Sequence, residues 1–389
     1  MDVYLTAEEA ARELGVSVTT LYAYVSRKQI RTQKAPGART RRYWREDIER
    51  LKGASASGAE DVLAPRSAIT LITEEGHFYR GRSALALAER ETLESVCALL
   101  WDAPYEATFG AFNLRLGDLY HRTEAALAGA PVQERAVALL PLLERSNPRA
   151  FDLTHAGYAR TGAELMRWFG HLIGGFDPSD DRPLHQAVAG GLGAPPPYED
   201  ILRRLFVLAA DHELDPSTYA VRAIANTGVT AHQAVLVGLA STFGRRLMFG
   251  RAQSLERLMD EVLTTADPES AILRPIREGA SLPGFGSGQY PAGDPRARAL
   301  LAKLEDCVGE DVGFRRLQAA IRVARDATGL EPALAIPLSF VAHKLGLKGQ
   351  GGVIWQLPRM AGWIAHTMEQ YLTQETVRPR TVYTGPLPG

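Results

Sequence analysis

The chain has 389 residues, enough for two or three domains and a large core, and its 46% hydrophobic and 23% charged content is that of a soluble globular protein. No run approaches the ~20 apolar residues of a membrane span, and the polar opening MDVYLTAEEA is unlike a signal peptide, so a cytoplasmic protein without membrane attachment is expected. The net charge of −1 conceals an asymmetry: residues 1–52 hold eleven Lys/Arg against seven Asp/Glu, and 27–45 hold eight basic residues and no acidic one, which points to an anionic partner at one end only. The two cysteines, Cys97 and Cys307, match no metal or redox spacing and fit a reducing compartment.

The pattern at 6–14 predicts a helix. Thr6 followed by Glu9 forms a capping box, and Ala10, Ala11 and Leu14 share an apolar face. Gly15 ends it, and Ser17 caps a second helix with Leu21 and Val25 turned inward. Two short helices on a tight Gly-containing turn make the helix-turn-helix pattern. KAPGARTRRYWRED follows, a turn at Pro36 and Gly37 between extended stretches, which forms a basic wing. The whole stretch resembles the winged helix-turn-helix of the mercury-resistance-regulator and excisionase group, which implies a DNA partner. Thr19, Thr20, Tyr22, Tyr24 and Arg27 then lie on or near the exposed face of the second helix, with Thr19, Thr20 and Tyr22 placed for base edges. Arg39, Arg41, Arg42 and Arg45 suit phosphates, which supply affinity but little sequence information. The competing reading is a solvated basic face on a small packing domain.

The winged module is assigned to 1–52 and a linker to 53–63, where GASASGAE is small and polar. From 64 onward the periodicity is helical, at 85–100, 107–127, 133–143, 162–173, 201–210, 232–243, 255–264 and 360–372. Residues 68–89 open with a short hairpin. A mainly α domain of many helices is expected.

Four segments carry chemistry: DHELDPSTYAVR (211–222), LPGFGSGQYPAGDPRA (282–297), GGVIWQLPRMAGWIAH (351–366) and VRPRTVYTG (377–385). Asp211, His212, Glu213 and Asp215 taken alone suggest a metal. They are bunched at a helix end without the i, i+4 histidines of a helical zinc site, so no metal is expected. In this order and spacing the segments resemble the citrate synthase family over 64–389. The resemblance implies an all-α large subdomain with a small one, roughly 220–335, inserted in it. It also implies an intertwined homodimer, because the family's last arginine reaches the other subunit's site. His212 matches a substrate-binding histidine, and Arg296, Arg359 and Arg378 fall at carboxylate clamps. A guanidinium grips a carboxylate through two parallel bonds, and several converging with a histidine suit a dianion such as oxaloacetate. Taken singly, each arginine is equally suited to a salt bridge, and His212 to a structural hydrogen bond.

The departures concern the acid and base positions. Where the family has an LHGGA-type loop, this chain reads GRRLMFGRA, and Met248 or Phe249 falls at the histidine. GFGS places Ser287 at the family's second histidine, and counting back from KLGL places Ala335 at its aspartate base. His185, His343 and His366 are candidates for a replacement base, with no spacing that favours one. Arg245, Arg246, Arg251 and Lys348 either meet the phosphates of an acyl-CoA or are solvated; no other cofactor is expected. Three readings follow. The first is a homodimeric, catalytically impaired transcription regulator that senses an oxaloacetate- or citrate-like carboxylate or an acyl-CoA. The second is an active citrate or methylcitrate synthase with a rebuilt acid/base set, and the third is an inert dimerisation scaffold for the DNA-binding heads.

Overall fold

The computed structural model describes residues 4–18, 21–22, 30, 32–34, 41–45, 47–48, 66–110, 112, 114, 116–244, 249–265 and 267–373. Helix makes up 64% of it against six short strands among the described residues, so the chain is mainly α, as its periodicity implies. It divides into two compact units, between Arg66 and Ser67.

In the first unit the capping box of Ala7–Leu14 forms as expected. Thr6 Oγ1 accepts the Glu9 N–H at 3.2 Å, and Glu9 Oε2 accepts the Thr6 N–H at 2.9 Å. Gly15, in the left-handed region, ends the helix, and the Leu21 N–H returns to Ser17 O as the second helix begins. Thr32–Lys34 and Arg41–Trp44 pair antiparallel as the stem of the wing, with Tyr4–Leu5 on the other side of Arg41–Trp44. Leu5, Ala10, Ala11, Leu14, Leu21, Ile30, Tyr43 and Ile48 form one apolar core. Tyr22, Arg41 and Arg42 are exposed, whereas Arg45 is half-buried and pairs with Glu13 at 3.3 Å. Thr19, Thr20, Tyr24, Val25, Arg27, Pro36, Gly37, Arg39 and the linker lie outside the described residues.

The second unit opens with the expected hairpin, Thr70–Thr73 against Gly76–Tyr79, and Arg82–Ser83 adds a strand. The stretch 85–100 is two helices, Ala84–Arg90 and Leu93–Trp101. Thr92 between them is extended, and its hydroxyl accepts the Ser95 N–H, capping a new start. Likewise 107–127 divides into Tyr105–Phe109 and Asp118–Ala126. The final helix, Val353–Leu372, begins before the expected 360 and runs through Pro358, whose missing N–H costs one bond in the second turn. Val132–Ser146, His155–Gly174, Pro196–Leu208, Ala231–Ser241 and Phe249–Thr264 answer the other periodic spans.

His155–Gly174 and Val353–Leu372 are buried on nearly every face and form the centre of the unit. The buried indoles find acceptors there. Trp101 donates to Ala361 O at 2.9 Å, and Trp363 to Ser217 Oγ at 3.1 Å. A satellite core of Leu258, Val262, Ala271, Ile272, Leu282, Ala320 and Ala324 joins Phe249–Thr264, Pro268–Arg277 and Val312–Thr328. It falls within the 220–335 span, whereas Ala231, Ala234, Val235 and Leu239 of that span belong to the main core. Among the described residues, no helix is long and apolar enough to cross a membrane.

Candidate functional site

The turn between Pro196–Leu208 and Pro216–Ala225 carries Asp211, His212, Glu213 and Asp215. Asp215 caps the second helix, its Oδ1 accepting the N–H groups of Ser217 and Thr218 at 2.9 Å. Glu213 turns the chain at φ 50°, a conformation few residues other than glycine adopt, and its N–H reaches Asp211 Oδ2 at 3.2 Å. Two neighbours hold the turn in place. The Tyr79 hydroxyl accepts the Asp211 N–H at 3.4 Å and donates to Val207 O at 3.1 Å, which ties the hairpin to the turn. Gly362, on the central helix, donates to Ala210 O at 3.1 Å. A Cβ on Gly362 would lie 2.0 Å from Asp211 Oδ1, so only glycine lets the turn lie on that helix.

Asp211, Arg359 and His366 are fully buried. Arg359 Nη1 donates to Asp211 Oδ1 at 3.1 Å, and Nη2 donates to Asp215 Oδ2 at 2.7 Å and to Thr218 Oγ1 at 2.6 Å. His366 Nδ1 is 3.2 Å from Arg222 Nη1, which can only donate. Nδ1 therefore accepts, and the proton on Nε2 faces Asp211 Oδ2 at 3.3 Å. Burial alone would raise the Asp211 carboxyl, but His366 and Arg359 outweigh it and hold Asp211 ionised, below the usual carboxylate range.

A second cluster stands beside this ion pair. Arg296 forks onto Asp294, with Nε to Oδ1 at 3.0 Å and Nη2 to Oδ2 at 2.8 Å, and its Nη1 lies 3.4 Å from His77 Nδ1. The His77 ring meets His212 edge-on at 4.9 Å and lies 6.0 Å from Tyr290. Burial, with Arg296 and Arg359 nearby, lowers His212 to about 4, and His77 is lowered further by burial, Arg296 and His212. Both imidazoles are therefore neutral at neutral pH. Burial also pushes the Tyr290 phenol up to about 12.

Of the carboxylate-binding residues named from sequence, His212 and Arg296 share this cluster. Arg359 adjoins it with both terminal nitrogens engaged, and Arg378 lies outside the described residues. Ser287 is half-buried in a loop whose neighbour Gly286 donates to Glu331 O at 2.8 Å. Ala335 opens Ala335–Lys344, a helix with no acidic residue in its first turn. The Leu334 N–H just before it reaches Asp294 Oδ2 at 3.2 Å, so Asp294 holds Arg296 and this helix start together. Met248, Arg245, Arg246 and the Phe249 side chain lie outside the described residues. Of the replacement-base candidates, His366 is committed to Asp211 and Arg222. His185 is buried near Glu199, Arg203 and Asp200, and His343 is half-buried near Asp260, Lys344 and Lys348. Lys348 pairs with Asp260 at 2.6 Å, and Arg251 is exposed.

His77 escaped sequence reasoning. A lone histidine in a hairpin belongs to no motif. The one usable signal was period-two alternation, which puts it on the same buried strand face as Tyr79.

The citrate synthase, C-terminal domain family matches residues 58–380, and a helix-turn-helix domain family matches 4–54. Citrate synthase 2 of Bacillus subtilis is 25% identical over 359 residues, which is 85% of this chain and 95% of that protein. The 2-methylcitrate synthase 2 of Corynebacterium glutamicum is 24% identical over 369 residues, 84% and 94% of the two. Among solved structures, a citrate synthase from Thermoplasma acidophilum in ternary complex with carboxymethyl coenzyme A and oxaloacetate has a TM-score of 0.70 at 20% identity, covering 86% of this chain and 97% of that one. Citrate synthase from Pyrobaculum aerophilum also gives 0.70 at 20% identity, over 92% and 95%.

Proposed function

The chain belongs to the citrate synthase family and carries a helix-turn-helix domain, and from these two facts we propose that it is a cytoplasmic, homodimeric, DNA-binding transcription regulator that is catalytically impaired. In this reading its citrate-synthase body senses an oxaloacetate- or citrate-like carboxylate or an acyl-CoA. Two features support the proposal, one from the geometry and one from the resemblance. Arg296 and His212 cluster next to buried Arg359, while Ser287 and Ala335 occupy positions where the family resemblance calls for an acid and a base. A positioned acid or base contributes about 10²–10⁴-fold in rate, and groups that act as a unit fail together. Arg378 is proposed to complete the site across the dimer interface.

At the other end, exposed Tyr22, Arg41 and Arg42 suit a nucleic-acid contact. Paired heads read half-sites about 34 Å apart, and a ligand moves them only if it prefers one arrangement of the dimer. The test couples two assays on the purified full chain. Thiol release from acetyl- or propionyl-CoA with oxaloacetate is expected far below the ~1–10³ s⁻¹ of ordinary enzymes. DNA upstream of the protein's own coding region is expected to be retarded in a gel, and Arg41→Ala/Arg42→Ala to lose that retardation at low salt. Turnover in the ordinary range overturns the impaired reading, and equal retardation by the double variant overturns the wing assignment. Such turnover would establish the second reading, an active citrate or methylcitrate synthase.

A further inference from the structure

Two buried polar groups beside Arg296 have no partner among the described residues. His77 is fully buried with Nε2 unpartnered, and the Tyr290 hydroxyl, on a residue 3% exposed, is unpartnered as well. The tautomer of His77 follows from its other nitrogen. Nδ1 faces Arg296 Nη1 at 3.4 Å, and a guanidinium can only donate, so Nδ1 accepts and the proton sits on Nε2. Burial, with Arg296 and His212 close by, keeps that ring neutral.

Buried donors in folded proteins almost always find an acceptor. Two orphans on one cluster therefore call for an acceptor beyond the described residues. Both belong to the same group of rings: His77 lies 4.9 Å from His212 and 6.0 Å from Tyr290, and the Arg296 guanidinium sits 5.7 Å over the Tyr290 face. His212 is the half-buried member. Arg296 spends Nε and Nη2 on Asp294, and its Nη1 faces His77.

We propose that His77 and Tyr290 are ligand-contacting residues, with His77 Nε2–H and Tyr290 O–H donating to oxygens of the carboxylate that Arg296 and His212 attract. The assignment rests on the carboxylate reading above and sharpens it. A set made of donors selects a ligand rich in acceptor oxygens, such as a keto- or hydroxy-dicarboxylate, over a cation or an apolar acyl chain. A neutral imidazole that only donates keeps its proton, so the contact serves recognition whether or not chemistry follows.

Titration calorimetry of the full chain with oxaloacetate and with citrate tests the assignment, alongside melting curves without ligand. His77→Phe and Tyr290→Phe are expected to weaken binding by about tenfold or more each, the size of one lost hydrogen bond to a charged group. The unliganded melting temperature of Tyr290→Phe is expected to hold or rise, because an unsatisfied group has been removed, whereas His77→Phe also removes the acceptor facing Arg296 Nη1 and is expected to melt no higher than wild type. His77→Gln, which carries a donor at similar reach, is expected to recover most of the affinity. Wild-type binding with unchanged affinity in both Phe variants overturns the assignment while leaving the carboxylate reading intact. His77→Gln binding as poorly as His77→Phe also overturns it, because the donated proton is then not what matters. A wild-type chain that binds neither probe overturns the carboxylate reading and this assignment together.

Discussion

Gly362 lies in the middle of a twenty-residue helix, where alanine is ordinarily favoured by about 1 kcal/mol. Gly362→Ala should nevertheless destabilise this protein. The new Cβ would lie 2.0 Å from Asp211 Oδ1 and 3.0 Å from Ala210 O, and the nearer atom is a buried carboxylate held on both sides. Moving it breaks charge-assisted bonds to Arg359 and His366, each about 1.5–3 kcal/mol, and strains the Gly362–Ala210 backbone bond. Set against the helix-propensity gain, the net loss is about 2–5 kcal/mol. At about 2–4 °C per kcal/mol for a unit of this size, calorimetry should record melting roughly 5–15 °C lower. Gly352→Ala is the control: it has a helix-compatible φ of −58° and nothing within 4 Å of a new Cβ, so it should melt at or slightly above wild type. A Gly362→Ala protein that melts with the control would refute the close seating of the turn on the helix.

Arg359→Met removes the cation from a buried pair and should lower the unfolding free energy by about 3–5 kcal/mol at pH 7, measured in urea. Asp211 and Asp215, released from Arg359, relieve their cost by taking up protons, so the deficit should shrink at pH 5. A deficit independent of pH would mean the carboxylates are compensated elsewhere. His232→Leu tests the acid limb. Burial lowers buried His232 from 6.5 to about 4, so between those values the unfolded chain binds more protons than the folded one. Stability therefore falls as pH drops through that window, by about 1.4 kcal/mol per pH unit for each such histidine. Between pH 6.5 and 5 the wild type should lose about 2 kcal/mol more than His232→Leu, and parallel slopes would contradict the burial argument.

What was legible in the sequence was local or repeated. The Thr6–Glu9 capping box needs residues three apart, and it formed. Long helices announced themselves by period, but the break at Thr92 did not, because both flanks carry apolar residues and only the cap separates them. The last helix, expected from 360, starts at Val353 and takes Pro358 into its second turn. In the site, motif order led to His212, Arg296 and Arg359. It did not reveal that Asp211 and Asp215, two of the residues weighed as metal ligands, are the carboxylates that occupy Arg359. Nor did it find His77, which stands 219 positions from its Arg296 neighbour and meets it only through packing.

Asp294 receives both the Arg296 guanidinium and the main-chain N–H of Leu334, one residue before Ala335. On the helix side the strap from the Arg296 loop is thus a backbone N–H, which every amino acid but proline supplies. Whatever side chain stands at 335 can be exchanged without slackening the arginine. The side chain at 335 and the seating of Arg296 are mechanically separable in this architecture, so one can vary while the other is kept.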